Sequence, residues 1–405
     1  MAIRPFCFIH AGEFHLEHPL HGVTEVPEHL RNLFLEAPYL AARRVFDAAL
    51  SREVDFVVLS GDLVNHSLSG PRGPLLLVEQ FQRMAERNIP IYWAGSPDDA
   101  PHAWPTAIKL PSNVHFFSRE EVEHLLVPGD SGPLARIAGM SAGKHHFQPE
   151  DFLPDPAGLF TIAAAFGGWN PETQVEPGVH YWALGGQHSP GAPSGAHAVR
   201  YCGTTQGRTP KESGLHGCFF VQVDELAQIQ VTFLSTDVVR WVQQHVEFDE
   251  ITTTEGMEEM LLRRIAALRE AQPEVPLLVS WMLTGEGRLQ HLLRRERLAE
   301  KILARLRAEY GQADPPCWSV SLKCSPPETY PPTFYEEETI RGDFLKAIRY
   351  LQENLEQLPN LEGYLPESLR EGPAFQSIET DDEHHHLLCE AAALGLELLS
   401  GEEPH

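Results

Sequence analysis

Phe8-Ile9-His10-Ala11-Gly12-Glu13-Phe14-His15 is an apolar run that breaks into a polar loop, and its end sets a carboxylate and an imidazole two positions apart. Residues i and i+2 of an extended segment share a side, so Glu13 and His15 can address one divalent cation. A second apolar run, Phe56-Val57-Val58-Leu59, ends in Ser60-Gly61-Asp62. A third, Tyr181-Trp182-Ala183-Leu184, ends in Gly185-Gly186-Gln187-His188. In a doubly wound α/β sheet such strand ends meet at one edge, which would gather Glu13, His15, Asp62 and His188.

The surrounding pattern supports that sheet. Ile89-Pro90-Ile91-Tyr92-Trp93 and Phe160-Thr161-Ile162-Ala163 read as further buried strands, while Ala37 to Leu50 and Gly73 to Arg87 have helical spacing. From Val199 to Leu234 the segments become extended and turn-punctuated, as antiparallel strands of a second sheet do. Beyond Thr236 the order is strand (Val238 to Phe248), helix (Glu255 to Arg269), strand (Leu277 to Leu283), helix (Arg288 to Glu309) and strand (Trp318 to Lys323). That order predicts a small separate α/β module. A proline-rich linker, Cys324-Ser-Pro-Pro-Glu-Thr-Tyr-Pro-Pro, then leads into a helical tail. Thr380-Asp381-Asp382-Glu383 is a capping box for its last helix. The expected domains are 1–235, 236–325 and 326–405.

Composition narrows the function classes. With 405 residues the chain has room for two or three domains and a large active-site floor. Its net charge of −26 opposes unaided attraction to DNA phosphates, which depends on Lys and Arg displacing counterions. About half of that charge falls in the tail from Tyr335 to His405. Any nucleic acid would need a basic groove or a partner. The six cysteines show no CxxC spacing, which argues against a zinc ribbon or a disulfide framework. No apolar run reaches the roughly 18 residues that a membrane helix needs, so no membrane partner is expected. Met1 to Ile9 reads as a strand and not a signal peptide, and the expected location is cytoplasmic.

Taken in order, these blocks resemble the calcineurin-like metallophosphoesterases, and among them the DNA-repair exonuclease branch of SbcD-type nucleases. The resemblance covers about residues 5 to 234. His10-Ala11-Gly12-Glu13-Phe14-His15 matches a segment that reads HxxDxH in the family. Asp55 to Asp62 matches its GD strand, and Tyr181 to His188 matches the strand ending GHxH. Tyr201 to Arg208 and Glu212 to Cys218 are similar to the segment that follows. The resemblance implies a four-layer α/β/β/α sandwich, followed here by the small α/β capping domain and the acidic helical tail.

It also implies which metal ligands survive. One cation of the family is held by DxH, the GD aspartate and the second His of GHxH; here those places carry Glu13, His15, Asp62 and His188, all able to bind metal. Mn²⁺ is the first candidate. The other cation adds the Asn of GNHD, a His after a middle strand and the first His of GHxH; here Ser96, Phe166 and Gly186 stand there. The catalytic His of GNHD falls on Pro97, which cannot move a proton. Two-metal hydrolysis relies on paired cations about 3.5 to 4 Å apart, so the expectation is one retained site, one lost site and no identified catalytic residue. A hydrogen-bonded polar remnant without metal is the alternative for the four ligands. The ring of Phe166 beside Gly186 is expected to fill the vacated volume.

Two functions follow from the resemblance. One is a divergent exonuclease-like protein with weak or lost catalysis, a subunit or scaffold beside an SMC-like ATPase on DNA. The other is an active one-metal phosphodiesterase or nuclease. A homodimer is compatible with both. Other candidates have bland readings beside sharp ones. Asp98 and Asp99 are a replacement carboxylate or a solvated turn. His145-His146 and His384-His385-His386 are metal donors or exposed loop and helix-start residues. Arg200, Arg208 and Lys211 are an anion site or scattered cations. The basic stretch Arg288 to Arg307 touches DNA or is a solvated helix face. The stripe Phe344-Leu345-Ile348-Leu351 docks a partner or packs on its own domain.

Overall fold

The computed structural model describes residues 3–99, 101–143, 147–170, 178–193, 198–294, 297–358 and 380–399. In chain order its strands are β1 (Phe6–Ala11), β2 (Phe56–Leu59), β3 (Ile91–Trp93), β4 (Val114–Phe116), β5 (Glu123–Val127), β6 (Ala135–Met140), β7 (Thr161–Phe166), β8 (Tyr181–Gly185), β9 (Val199–Tyr201), β10 (Gly217–Val223), β11 (Ile229–Ser235), β12 (Arg240–Phe248), β13 (Leu277–Gly285) and β14 (Cys317–Cys324). They form an α/β protein with two mixed sheets and a small parallel sheet, a pattern consistent with a metallophosphoesterase fold. The first sheet has the order β11-β10-β1-β2-β3-β4, the second β5-β6-β7-β8-β9, and the third β12-β13-β14.

Strand alternation builds the layers. Phe6, Phe8, Phe56, Val58 and Tyr92 face one way and meet Ile162, Ala164, Tyr181 and Ala183 of the second sheet in a shared core. Ile9, Val57, Leu59, Ile91 and Trp93 face the other way, under the helices Glu28–Ser51 and Arg72–Ala85. Both faces are buried, which is why β1 and β2 read as nearly continuous apolar runs. The outer face of the second sheet, with Ala163, Trp182, Leu184 and Val199, packs against Phe147, Phe152 and Trp169. A 3₁₀ turn at Pro149–Asp151 lies beside these residues, so among the described residues this face carries no α-helix.

The first long helix begins earlier than its periodicity suggests. Helical spacing is expected over Ala37 to Leu50, yet the helix runs from Glu28 through Pro38 to Ser51. Proline lacks the N–H that would bond the carbonyl four residues back. That carbonyl, of Phe34, instead accepts from the Leu20 N–H at 3.1 Å, so the interruption leaves no buried acceptor unsatisfied.

The chain divides into two compact units. One comprises residues 1–243, 269–280 and 310–320, the other 244–268, 281–309 and 321–405. Within the second, the helices Ile340–Glu353 and Asp381–Leu399 pack through Leu345, Ile348, Leu388 and Ala392. The Phe344-to-Leu351 stripe is therefore covered by the chain's own last helix. The capping box forms as expected: Glu383 N–H donates to Thr380 Oγ1 at 3.2 Å and Thr380 N–H to Glu383 Oε2 at 3.1 Å. No described helix is long and apolar enough to cross a membrane.

Candidate metal centre

Parallel pairing aligns the ends of β1 and β2, with Ala11 opposite Leu59. The pairing continues into the loops: Glu13 N–H donates to Gly61 O (2.8 Å), His15 N–H to Asp62 O (3.0 Å) and Leu16 N–H to Leu63 O (3.2 Å). Phe14 and Leu16 are buried in the helix-side core, as are Leu63 and Val64. Those apolar anchors leave Glu13 and His15 on the opposite side. Glu13, His15 and Asp62 all have positive φ, at 53°, 45° and 51°. For a non-glycine residue that conformation costs roughly 1 to 2 kcal/mol, and such strain gathers at functional sites.

Glu13, His15 and His188 come together, one donor atom from each lying within 4.8 Å of the others. Glu13 is 1% exposed. Its Oε1 accepts from Gly186 N–H (2.5 Å), while its Oε2 lies 3.0 Å from His15 Nε2 and 3.9 Å from His188 Nε2. Asp62, the fourth expected ligand, does not join this close group. It stands near enough to interact electrostatically with Glu13 and His15 and lies beside Ser96.

The protonation balance of the cluster is that of a site suited to a cation. Burial pushes the Glu13 carboxyl up to about 7, against the Gly186 N–H bond and the charges of His188 and Arg208, which act the other way. Burial, with Arg208 second, pulls His15 down to about 4. Burial and the neighbouring Glu13 also raise Asp62. A carboxylate short of countercharge beside an imidazole that keeps its lone pair is what a bound cation would satisfy. A carboxylate and two imidazoles are also a suitable donor set for a divalent transition metal. The residues fit one such ion.

The positions that the resemblance assigned to a second cation make other contacts. β7 pairs with β8 so that Phe166 lies opposite Gly185. Its ring is packed so close to Gly61 and Gly185 that a Cβ on either would meet it, at 2.7 and 3.1 Å. Gly186 has φ 101°, and a Cβ there would lie 3.3 Å from the Gly167 nitrogen, so a histidine side chain is poorly tolerated. Ser96 Oγ accepts from the N–H groups of Asp98 and Asp99. Among the described residues no second cluster of metal-binding side chains occurs.

Several readings change. Asp99 is neither a ligand nor a solvated turn residue. It is fully buried, accepts from Leu63 N–H (2.7 Å) and Ser96 N–H (2.5 Å), and so ties the loop after β2 to the loop after β3. Arg208 is no scattered surface cation: it is 6% exposed, and its guanidinium is 3.1 Å from Glu212. His384 to His386 begin a helix on the exposed side, with His384 Nδ1 bonded to Thr380 O. In the basic stretch, Ile302 and Leu306 are buried and Arg305 pairs with Glu258, as in a solvated helix face. His145-His146 lies outside the described residues. Sequence reading passed over Glu212, whose signal is an Arg and a Glu four positions apart in the segment after His188.

Comparison with known proteins points to a metallophosphoesterase. Residues 241–325 match the family model described as the middle domain of metallophosphoesterase YhaO. The uncharacterized metallophosphoesterase YhaO of Bacillus subtilis (strain 168) is 30% identical over 300 residues, spanning 69% of this chain and 71% of that protein.

Proposed function

The chain belongs to the metallophosphoesterase family, and from that premise we propose that it is a divergent member holding one divalent cation, Mn²⁺ first, on Glu13, His15 and His188 with Asp62 beside them. In this reading two-metal hydrolysis is lost. The chain serves as a subunit or scaffold beside an SMC-like ATPase on DNA, in keeping with its resemblance to SbcD-type nucleases. Its first unit corresponds to the four-layer sandwich, whose last layer, among the described residues, consists of loops and a 3₁₀ turn.

One observation carries the loss of catalysis: the Phe166 ring occupies the ground between Gly61 and Gly185 that a second cation and its imidazole would need. Pro97, at the place of the proton-transferring histidine, adds to it. A bound cation would supply Lewis-acid charge to a phosphoryl oxygen. Glu13 and the two imidazoles would bind it, while the Gly186 N–H orients the Glu13 carboxylate. The alternative is an active one-metal phosphodiesterase, and Arg208 favours it, because a guanidinium beside the donors suits a phosphate oxygen.

Anaerobic loading with Mn²⁺, then hydrolysis of bis-p-nitrophenyl phosphate and of DNA, separates the readings. The expected result is one Mn²⁺ per chain, absent in Glu13→Gln, and turnover no higher than in Asp62→Ala. Turnover that Asp62→Ala abolishes would overturn the scaffold reading in favour of the one-metal enzyme. Failure to take up any Mn²⁺ would overturn the cation claim.

A further inference from the structure

The two histidines of the cluster are oriented alike but held differently, His15 through Nε2 by Glu13 (3.0 Å) and His188 through Nδ1 by Glu212 (2.8 Å). Each turns Nε2 toward Glu13 and Nδ1 toward a second carboxylate: Glu212 Oε1 is 2.8 Å from His188 Nδ1, and Glu17 Oε1 is 3.9 Å from His15 Nδ1. The Glu212 arm is the stronger and is itself braced. Arg208 N–H donates to Glu212 Oε2 at 2.6 Å, and Arg208 NH2 donates to Oε1 at 3.1 Å. The same NH2 is 3.4 and 3.5 Å from the two ring nitrogens of His188, nearly equidistant, so it claims neither lone pair.

The backbones are fixed as well. Thr204 N–H donates to His188 O at 2.9 Å, and Thr204 Oγ1 meets His216 Nδ1 at 2.7 Å. His216 Nε2 in turn bonds Glu212 O at 3.0 Å. Gly207 permits the loop to close, since a Cβ there would lie 2.5 Å from Glu212 O.

We infer that Glu212, steadied by Arg208, is a positioning residue for the cation site: by accepting the Nδ1–H of His188 it fixes the tautomer whose Nε2 lone pair faces Glu13. A polar remnant has no need to present both imidazoles to one carboxylate through the same nitrogen. A ligating histidine does, and its ring is commonly oriented by a carboxylate on the other nitrogen. The inference rests on the one-cation reading and names a residue that reading lacks.

Imidazole ¹⁵N spectra of the metal-free full chain, recorded above the pH at which the His188 signal itself finishes titrating, are expected to show His188 as the Nδ1–H tautomer. The signal is assigned by its loss in His188→Gln. In Glu212→Ala it moves toward the Nε2–H form that imidazole prefers in water, and Mn²⁺ affinity falls about 10- to 100-fold. Glu212→Gln keeps an acceptor without the charge and recovers part of that loss. An Nε2–H tautomer in the wild type overturns the proposal, as does Glu212→Ala binding Mn²⁺ like the wild type. If Glu212→Ala does not fold, the wild-type tautomer decides. A wild type that takes up no Mn²⁺ yet keeps the Nδ1–H form overturns the cation reading and leaves the positioning of His188 standing.

Discussion

His10 shows how one residue can matter to this protein without touching the cation cluster. It lies in β1 on the face shared by the two sheets, fully buried, with Nδ1 3.0 Å from Tyr181 OH and Nε2 3.2 Å from Ser60 Oγ. Burial pulls it down to about 3, so the folded chain keeps it neutral while the unfolded chain protonates it near 6.5. The unfolded state then binds the extra proton between those values, and stability falls as pH drops below about 6.5. Between pH 8 and pH 5 this group alone should remove about 2 kcal/mol. Urea unfolding of His10→Asn at both pH values should show a pH-dependent loss smaller by that amount, and equal losses in variant and wild type would refute the assignment. At the same scale, spacing marked Glu13 and His15 as a candidate pair and the resemblance added His188, and the structure brings these three side chains together. The surroundings of Asp99 and Arg208 were not legible, because only their neighbours reveal whether a carboxylate or guanidinium is solvated or buried and bonded.

Elements were read well where period and caps agree, and less well where a tertiary contact overrides a local rule. β2 ends where its apolar run ends, and Thr380 and Glu383 cap the last helix as their spacing requires. The first long helix begins before its expected start at Ala37 and continues through Pro38, where the Leu20 N–H that satisfies the Phe34 carbonyl is distant in sequence. The tail stripe was ambiguous for the same reason. Its partner, the helix Asp381–Leu399, approaches closely enough that a Cβ on Gly395 would lie 2.3 Å from the Phe344 ring. Gly395→Val should therefore force the two helices apart and cost about 1 to 3 kcal/mol, even though valine suits a helix interior better than glycine. Hydrogen exchange across Ile340–Glu353 and Asp381–Leu399 should accelerate while β1 and β2 keep their protection. Unchanged exchange in the tail helices would show that this contact does not hold them together.

For the molecule as a whole, charge governs association. With 57 acidic against 31 basic side chains, the isolated chain should give no shift of duplex DNA at about 150 mM salt, since counterion release needs a run of phosphate contacts. Tight binding with a steep salt dependence would mean a basic groove that the overall charge conceals, and would remove the need for a partner on DNA. The assignment of Ser96, Phe166 and Gly186 to a second site came only from the resemblance, but the order of apolar runs and turns by itself pointed to the α/β class and to the strand ends that carry the candidate ligands. These are local or periodic properties, so they survive in a linear reading. Only the tertiary structure decided that Phe166 fills the ground beside Gly61 and Gly185, that Asp62 stands outside the closest donor group, and that Glu212 and Arg208 stand behind His188. The reason is physical: burial, side-chain direction and the partner of each polar atom are set by residues remote in sequence, and spacing along the chain carries no record of them.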